Sequence, residues 1–187
     1  MKFSMKKVTV LLADGFEEIE ALTVVDLLRR AKVYVDTVSI TDDYTVRGAH
    51  GIPVQTEDLI TEIDFKESDM IVLPGGMPGT TNLKEDENVR KAVQEAYDDG
   101  RYVAAICAAP TILADMGLLK GKRATCYPDM ESEIEDAYLT GAPVATDENI
   151  ITSQGGGTAI DFALKLIEVL ISEEKAVEIA DSIVYQR

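Results

Sequence analysis

The sequence predicts an α/β fold built on a mostly parallel sheet with helices on both faces. Three observations carry this reading. Short continuous apolar runs at residues 7–13, 33–40, 70–73 and 103–106 suit strands covered on both sides. Segments between them carry helical spacing, as in Leu22, Val25 and Leu28, and turn signals such as Asp14-Gly15 and Asp99-Gly100 mark the borders. With 187 residues and 46% hydrophobic content, the chain suits one domain over 1–187 with a substantial core, residues 1–5 being a candidate flexible start.

In chain order, the strand at 7–13 ends at Asp14-Gly15, and a helix begins near Glu17, where Glu17, Glu18 and Glu20 suit its positive N-terminus. That helix closes at Arg29-Arg30. A strand at 33–40 follows, then short strands around the glycine-rich turn at 46–54. The strand at 70–73 stops at Pro74-Gly75-Gly76-Met77-Pro78-Gly79, whose glycines expose backbone N–H groups suited to an oxyanion or to a plain turn. Residues 88–97 read as an acidic surface helix.

The strand at 103–106 runs into Cys107 and then Ala108-Ala109-Pro110, with Pro110 suiting the first turn of the next helix. A nucleophile elbow needs small residues on either side of a reactive side chain, and Ala105 and Ala109 supply them. Cys107 is thus the candidate nucleophile, against the alternative of a buried structural thiol. Gly117 caps the helix. Beyond it lie a strand at 123–127, a short acidic helix at 130–137, a hairpin around Asp147-Glu148-Asn149, a long amphipathic helix at 159–171, and a last helix at 174–182 with an exposed tail. The glycine run 155–157 lacks phosphate-binding spacing and reads as helix–strand packing.

Composition excludes several classes of function. A net charge of −16 repels phosphate backbones and anionic lipid, so neither nucleic acid nor membrane is an expected partner. No apolar run approaches the roughly 20 residues of a membrane span. Residues 1–7 lead into a strand rather than a signal-peptide core, so a cytoplasmic location is expected. Cys107 and Cys126 are too far apart for a zinc knuckle, and His50 is the single histidine, so no metal is expected. In parallel sheets ligands sit at the carboxyl ends of strands, where 14–20, Gly75-Gly76 and Cys107 all fall.

The run from Leu12 through Asp14, Gly15, Glu17, Glu18 and Glu20, the Leu73-Pro74-Gly75-Gly76 turn with Gly79 and Asn82-Leu83, and Ala104 through Cys107 to Pro110 resemble the signatures of the ThiJ/PfpI superfamily. Within it the chain resembles the branch of the parkinsonism-associated protein deglycase. The resemblance implies a flavodoxin-like three-layer sandwich related to class I glutamine amidotransferases, a homodimer, and glyoxalase, deglycase or redox-chaperone activity without a cofactor. It places the nucleophile at Cys107, its carboxyl partner at Glu20 with Glu17 and Glu18 left as helix-start charges, and oxyanion donors at the N–H groups of Gly76 and Ala108 with Gly75 shaping the loop. Where that branch has a histidine beside the cysteine, this chain has Tyr127-Pro128, and His50 takes the place of an arginine near the pocket. Peptidase or amidotransferase chemistry is correspondingly less expected.

A protonated Glu20 would donate to the Cys107 thiolate and lower the thiol pKa. The expected substrates are small α-oxoaldehydes such as methylglyoxal, or their early glycation adducts. The alternative is a redox sensor or holdase acting through oxidation of Cys107.

Overall fold

Val8, Val10, Leu11 and Leu12 are wholly buried, and they make β1 (Lys7–Leu12) a central strand that needs cover on both faces. The structure is a computed structural model and describes residues 5–186; of the candidate flexible start, residues 1–4 lie outside the described residues. Around β1 assemble β2 (Tyr34–Ser39), β5 (Asp58–Leu59), β6 (Met70–Leu73), β7 (Tyr102–Ile106), β10 (Val144–Asp147) and β11 (Ile150–Ser153) in the order β10-β11-β7-β6-β1-β2-β5. Every pairing is parallel except that of β10 with β11, a hairpin whose turn holds Glu148 at φ 51. Strand order runs outward in both directions from β1 and β6, so the switch point lies between them. Crossovers leave a crevice at the carboxyl ends of those two strands.

Alternate side chains of the strands feed two cores. On one face, α1 (Glu18–Arg30), α5 (Ala159–Leu170) and α6 (Glu173–Ser182) bury Val24, Leu28, Phe162 and Leu166 against Val10 and Leu12. On the other, α3 (Glu87–Asp98) and α4 (Pro110–Asp115) bury Val93, Ile112 and Leu113 against Leu11 and Ile71. Each fully buried side chain of this kind contributes about 1.5–3 kcal/mol. The hairpin of β3 (Thr45–Arg47) and β4 (Pro53–Gln55) lies outside the main sheet, as does the pair β8 (Arg123–Ala124) and β9 (Tyr138–Leu139). Among the described residues no helix is long and apolar enough to cross a membrane.

Two expectations need correction, and a helix that the sequence does not signal, α2 (Gly79–Glu85), continues from the glycine turn. The strand at 123–127 shrinks to β8, because Pro128 opens a 3-10 turn at Pro128–Glu133 and the chain leaves the sheet. That turn also replaces the acidic helix at 130–137, whose like charges one turn apart oppose an α-helix. The tail is exposed at Val184 and Gln186 but anchored at Tyr185, which packs on the core and whose hydroxyl donates to Asp161 at 2.8 Å.

Candidate active site

Three loops converge at the switch point. After β1, the chain turns at Gly15, where φ is +87°, and the Asp14 carboxylate accepts the Arg47 N–H, fastening the loop to the β3–β4 hairpin. After β6, Gly75 accepts the N–H of Glu17 at 2.8 Å. A Cβ on Gly75 would lie 2.6 Å from both Cys107 Cβ and Glu20 Oε2, and one on Gly76, at φ +92°, would lie 2.4 Å from the Glu17 nitrogen. Only glycine lets the three loops approach so closely.

After β7, Cys107 sits at φ +65°, a left-handed conformation that costs a side-chain-bearing residue about 1–2 kcal/mol. Its neighbours hold it there: the Cys107 N–H donates to Ser153 O at 2.9 Å, and its carbonyl accepts from the Tyr127 N–H at 2.8 Å. The strained bend turns the half-buried thiol toward the crevice. Backbone N–H groups of Ala108 and Gly76 donate to the sulfur, the two donors anticipated for an oxyanion.

Glu20 projects from the first turn of α1 and is 1% exposed. Its Oε2 accepts the Gly75 N–H at 2.8 Å, and the carboxyl shares a hydrogen bond with the Cys107 thiol. Burial raises its pKa to about 7, against the opposing pull of the Cys107 and Gly75 hydrogen bonds. The expectation of a lowered thiol pKa is overturned: burial first, then the Glu20 charge and hydrogen bond, push Cys107 up to about 12, outweighing the two amides. Below about pH 7 both groups keep their protons; above it the pair holds one, and thiolate exists when Glu20 has taken it. General acid–base work at sulfur needs such a proton acceptor within reach.

The remaining candidates fall at different distances from this centre. Tyr127 is 44% exposed, at the mouth beside Cys107, and Pro128 opens the turn that follows. His50 has its hydrogen bonds and ion pairs with Glu18 and Glu17, at 3.0 and 3.5 Å, and none with Cys107 or Glu20. Its pKa is raised, by the Glu18 hydrogen bond first and the Glu17 charge second. Glu18 is more than a helix-start charge: it is buried, accepts the N–H groups of His50 and Ile52, and occupies space where a Cβ on Gly48 would lie 2.2 Å from it. Burial raises the Glu18 pKa, but the His50 side-chain hydrogen bond first and the backbone N–H groups after it outweigh burial, and the net shift is downward.

Sequence reasoning missed Gly155. The glycine run does more than pack helix on strand: a Cβ on Gly155 would lie 3.7 Å from the Tyr127 ring, 3.9 Å from Cys107 Sγ and 4.0 Å from Glu20 Oε1. The available signal was its place at the carboxyl end of β11, the strand beside β7.

A model of the DJ-1/PfpI family matches residues 6–169. Protein dj-1beta of Drosophila melanogaster is 36% identical over 177 residues, covering 94% of this chain and 95% of its own length. The glutathione-independent glyoxalase DJ-1 of Schizosaccharomyces pombe is 34% identical over 182 residues, covering 91% and 94%. Protein DJ-1 homolog B of Arabidopsis thaliana is 40% identical over 98% of this chain, which spans 42% of that longer protein. Among solved structures, a cysteine-to-alanine mutant of a DJ-1 superfamily protein from Salmonella typhimurium superposes with a TM-score of 0.93 at 35% identity, covering 98% of this chain and all of that one. An oxidized DJ-1 of Toxoplasma gondii gives 0.92 at 36% identity, covering 97% and 100%.

Proposed function

The chain belongs to the DJ-1/PfpI family, and we propose that it converts small α-oxoaldehydes to hydroxy acids, and reverses their early glycation adducts, using Cys107 as nucleophile and no cofactor. The observation that carries this reading is the buried Glu20 carboxyl, raised to about 7 and hydrogen-bonded to the Cys107 thiol. Similarity to a named glutathione-independent glyoxalase supports it.

The steps use one proton and one thiol. Glu20 takes the thiol proton, and the thiolate adds to the aldehyde carbon of methylglyoxal. The N–H groups of Gly76 and Ala108 stabilise the oxyanion, which receives the proton from Glu20 to give a hemithioacetal. The Glu20 carboxylate then removes the hydrogen on that carbon and returns a proton to the neighbouring carbonyl carbon, through an enediol. The product is a lactoyl thioester, and water cleaves it to lactate and free Cys107. Gly75 shapes the loop, while Tyr127, Pro128 and His50 form the rim. Tyr127 cannot act as the imidazole of a Cys-His dyad, which favours aldehydes over peptide bonds.

The working form is a cytoplasmic homodimer. Exposed Ile19, Leu22 and Ile52 near the site offer an apolar surface to a second copy, and the reducing cytoplasm keeps the thiol free. Purified protein given methylglyoxal is expected to release lactate; equal turnover by Cys107→Ala sinks the proposal.

A second reading is favoured by the same carboxyl. Protonated Glu20 can donate to a Cys107 sulfinate, so oxidation by peroxide would stop there and serve as a redox signal or holdase trigger. Intact mass after mild peroxide should show two added oxygens on Cys107, and oxygen uptake spread over the methionines would end this reading.

A further inference from the structure

We propose that Gly155 is the specificity-determining residue of this site: its missing side chain keeps open the space between the Cys107 thiol, the Glu20 carboxyl and the Tyr127 ring, which the carbon skeleton of a small, unbranched 1,2-dicarbonyl fills. The inference rests on the reading of Cys107 as a nucleophile toward such aldehydes.

Three glycines border the thiol, and two are required by the protein itself. Gly75 faces contacts of 2.6 Å, and Gly76 combines a positive φ with a contact of 2.4 Å. Gly155 is different. Its backbone is extended, at φ 163 and ψ −169, which any residue adopts. A Cβ there would meet nothing closer than the Tyr127 ring at 3.7 Å, an ordinary van der Waals distance. Neither conformation nor packing in the free protein calls for glycine at this position.

What a methyl at 155 would do is occupy the crevice. It would touch the attacking sulfur, the proton-carrying oxygen and the rim aromatic at once. A substrate carbon bonded to sulfur on that side cannot share the space with a methyl already in contact with the same sulfur. The wall is also fixed in place. The Gly155 N–H donates to Thr158 Oγ1 at 3.1 Å, Thr158 Oγ1 donates back to the Gly155 carbonyl at 2.9 Å, and the same oxygen lies 2.7 Å from Ser153 Oγ. Ser153 in turn accepts the Cys107 N–H, so a short stretch of chain sets the separation of wall and nucleophile.

The test compares Gly155→Ala with Gly157→Ala, a glycine of the same loop whose added Cβ meets nothing within 4 Å. Gly155→Ala should lower kcat/KM for methylglyoxal about tenfold or more beyond any loss for glyoxal, which lacks the methyl. Gly157→Ala should match wild type on both. Alkylation of Cys107, followed by peptide mass, gives a readout independent of turnover. In Gly155→Ala, bulky N-ethylmaleimide should slow more than iodoacetamide. Absence of wild-type turnover would remove the aldehyde reading alone and leave alkylation to decide on Gly155. Wild-type rates with both reagents, or equal slowing, would overturn the proposal. Should Gly155→Ala fail to fold, a crystal structure of the iodoacetamide-treated wild type decides: the acetamide belongs between the Tyr127 ring and the Gly155 Cα, and any other position refutes the assignment.

Discussion

The two cysteines pack against opposite cores of the protein and meet different fates. Cys126 is wholly buried in the apolar cluster with Leu119, Ala124 and Ile134, and its thiol donates to Tyr127 O at 3.3 Å. Cys107 is half-buried at a strained bend. Yet both thiols are raised, Cys107 to about 12 and Cys126 to about 11, burial being the first cause in each. The charges near Cys126, on Glu131 and Glu133, only push its thiol further up. Beside Cys107 stands a carboxyl that can accept the proton at neutral pH. On the proposed function, what separates the two thiols is not a depressed pKa but a proton acceptor and two backbone donors.

The contrast predicts unequal substitutions. Cys107→Ala should cost about 10³-fold or more in lactate formation, whereas Cys126→Ala should stay within about twofold of wild type; comparable losses in both would erase the distinction. Glu20→Gln keeps the shape but cannot take the thiol proton, so turnover should drop about 10²-fold. The rise of Cys107 alkylation through about pH 7 in wild type should also vanish in that variant.

Gly75→Ala forces a methyl against Cys107 Cβ, Glu20 Oε2 and the Ile106 carbonyl. It should lose about 1–3 kcal/mol in denaturant unfolding, together with activity.

Stability should carry the signature of Glu20. Its folded pKa is raised from 4.5 to about 7, so its protonated form is the one folding favours. That contribution is whole below about pH 4.5 and lost as pH rises through about 7, up to about 3 kcal/mol. Unfolding midpoints at pH 5 and pH 8 should therefore diverge in wild type and lie closer together in Glu20→Gln. The smallest effect belongs to Cys126→Ala, about 1 kcal/mol of lost packing and no change in the pH trend.

Much of this was legible in the sequence because strong local signals and topology agree. Continuous apolar runs located β1, β6 and β7, and parallel crossovers bring their carboxyl ends to one edge, which placed Glu20, Gly75, Gly76 and Cys107 together. Helix α2 was hidden by the prolines and glycines that precede it. The direction of the thiol shift depends on burial, which no motif reports. Gly155 was obscure because its meaning lies in the space in front of it; the role of Glu18 lies in a hairpin about 30 residues away, in a contact that no local pattern encodes.

That Glu18 contact has a consequence in time. The turn joining β3 to β4 is on the surface, where amides ordinarily exchange with solvent in step with local fraying. Because a buried carboxylate on α1 accepts the His50 and Ile52 N–H groups, those two protons can be released only when the helix yields its side chain. Hydrogen exchange should find them protected in step with α1, so that an outlying hairpin keeps the clock of the helix that carries Glu20.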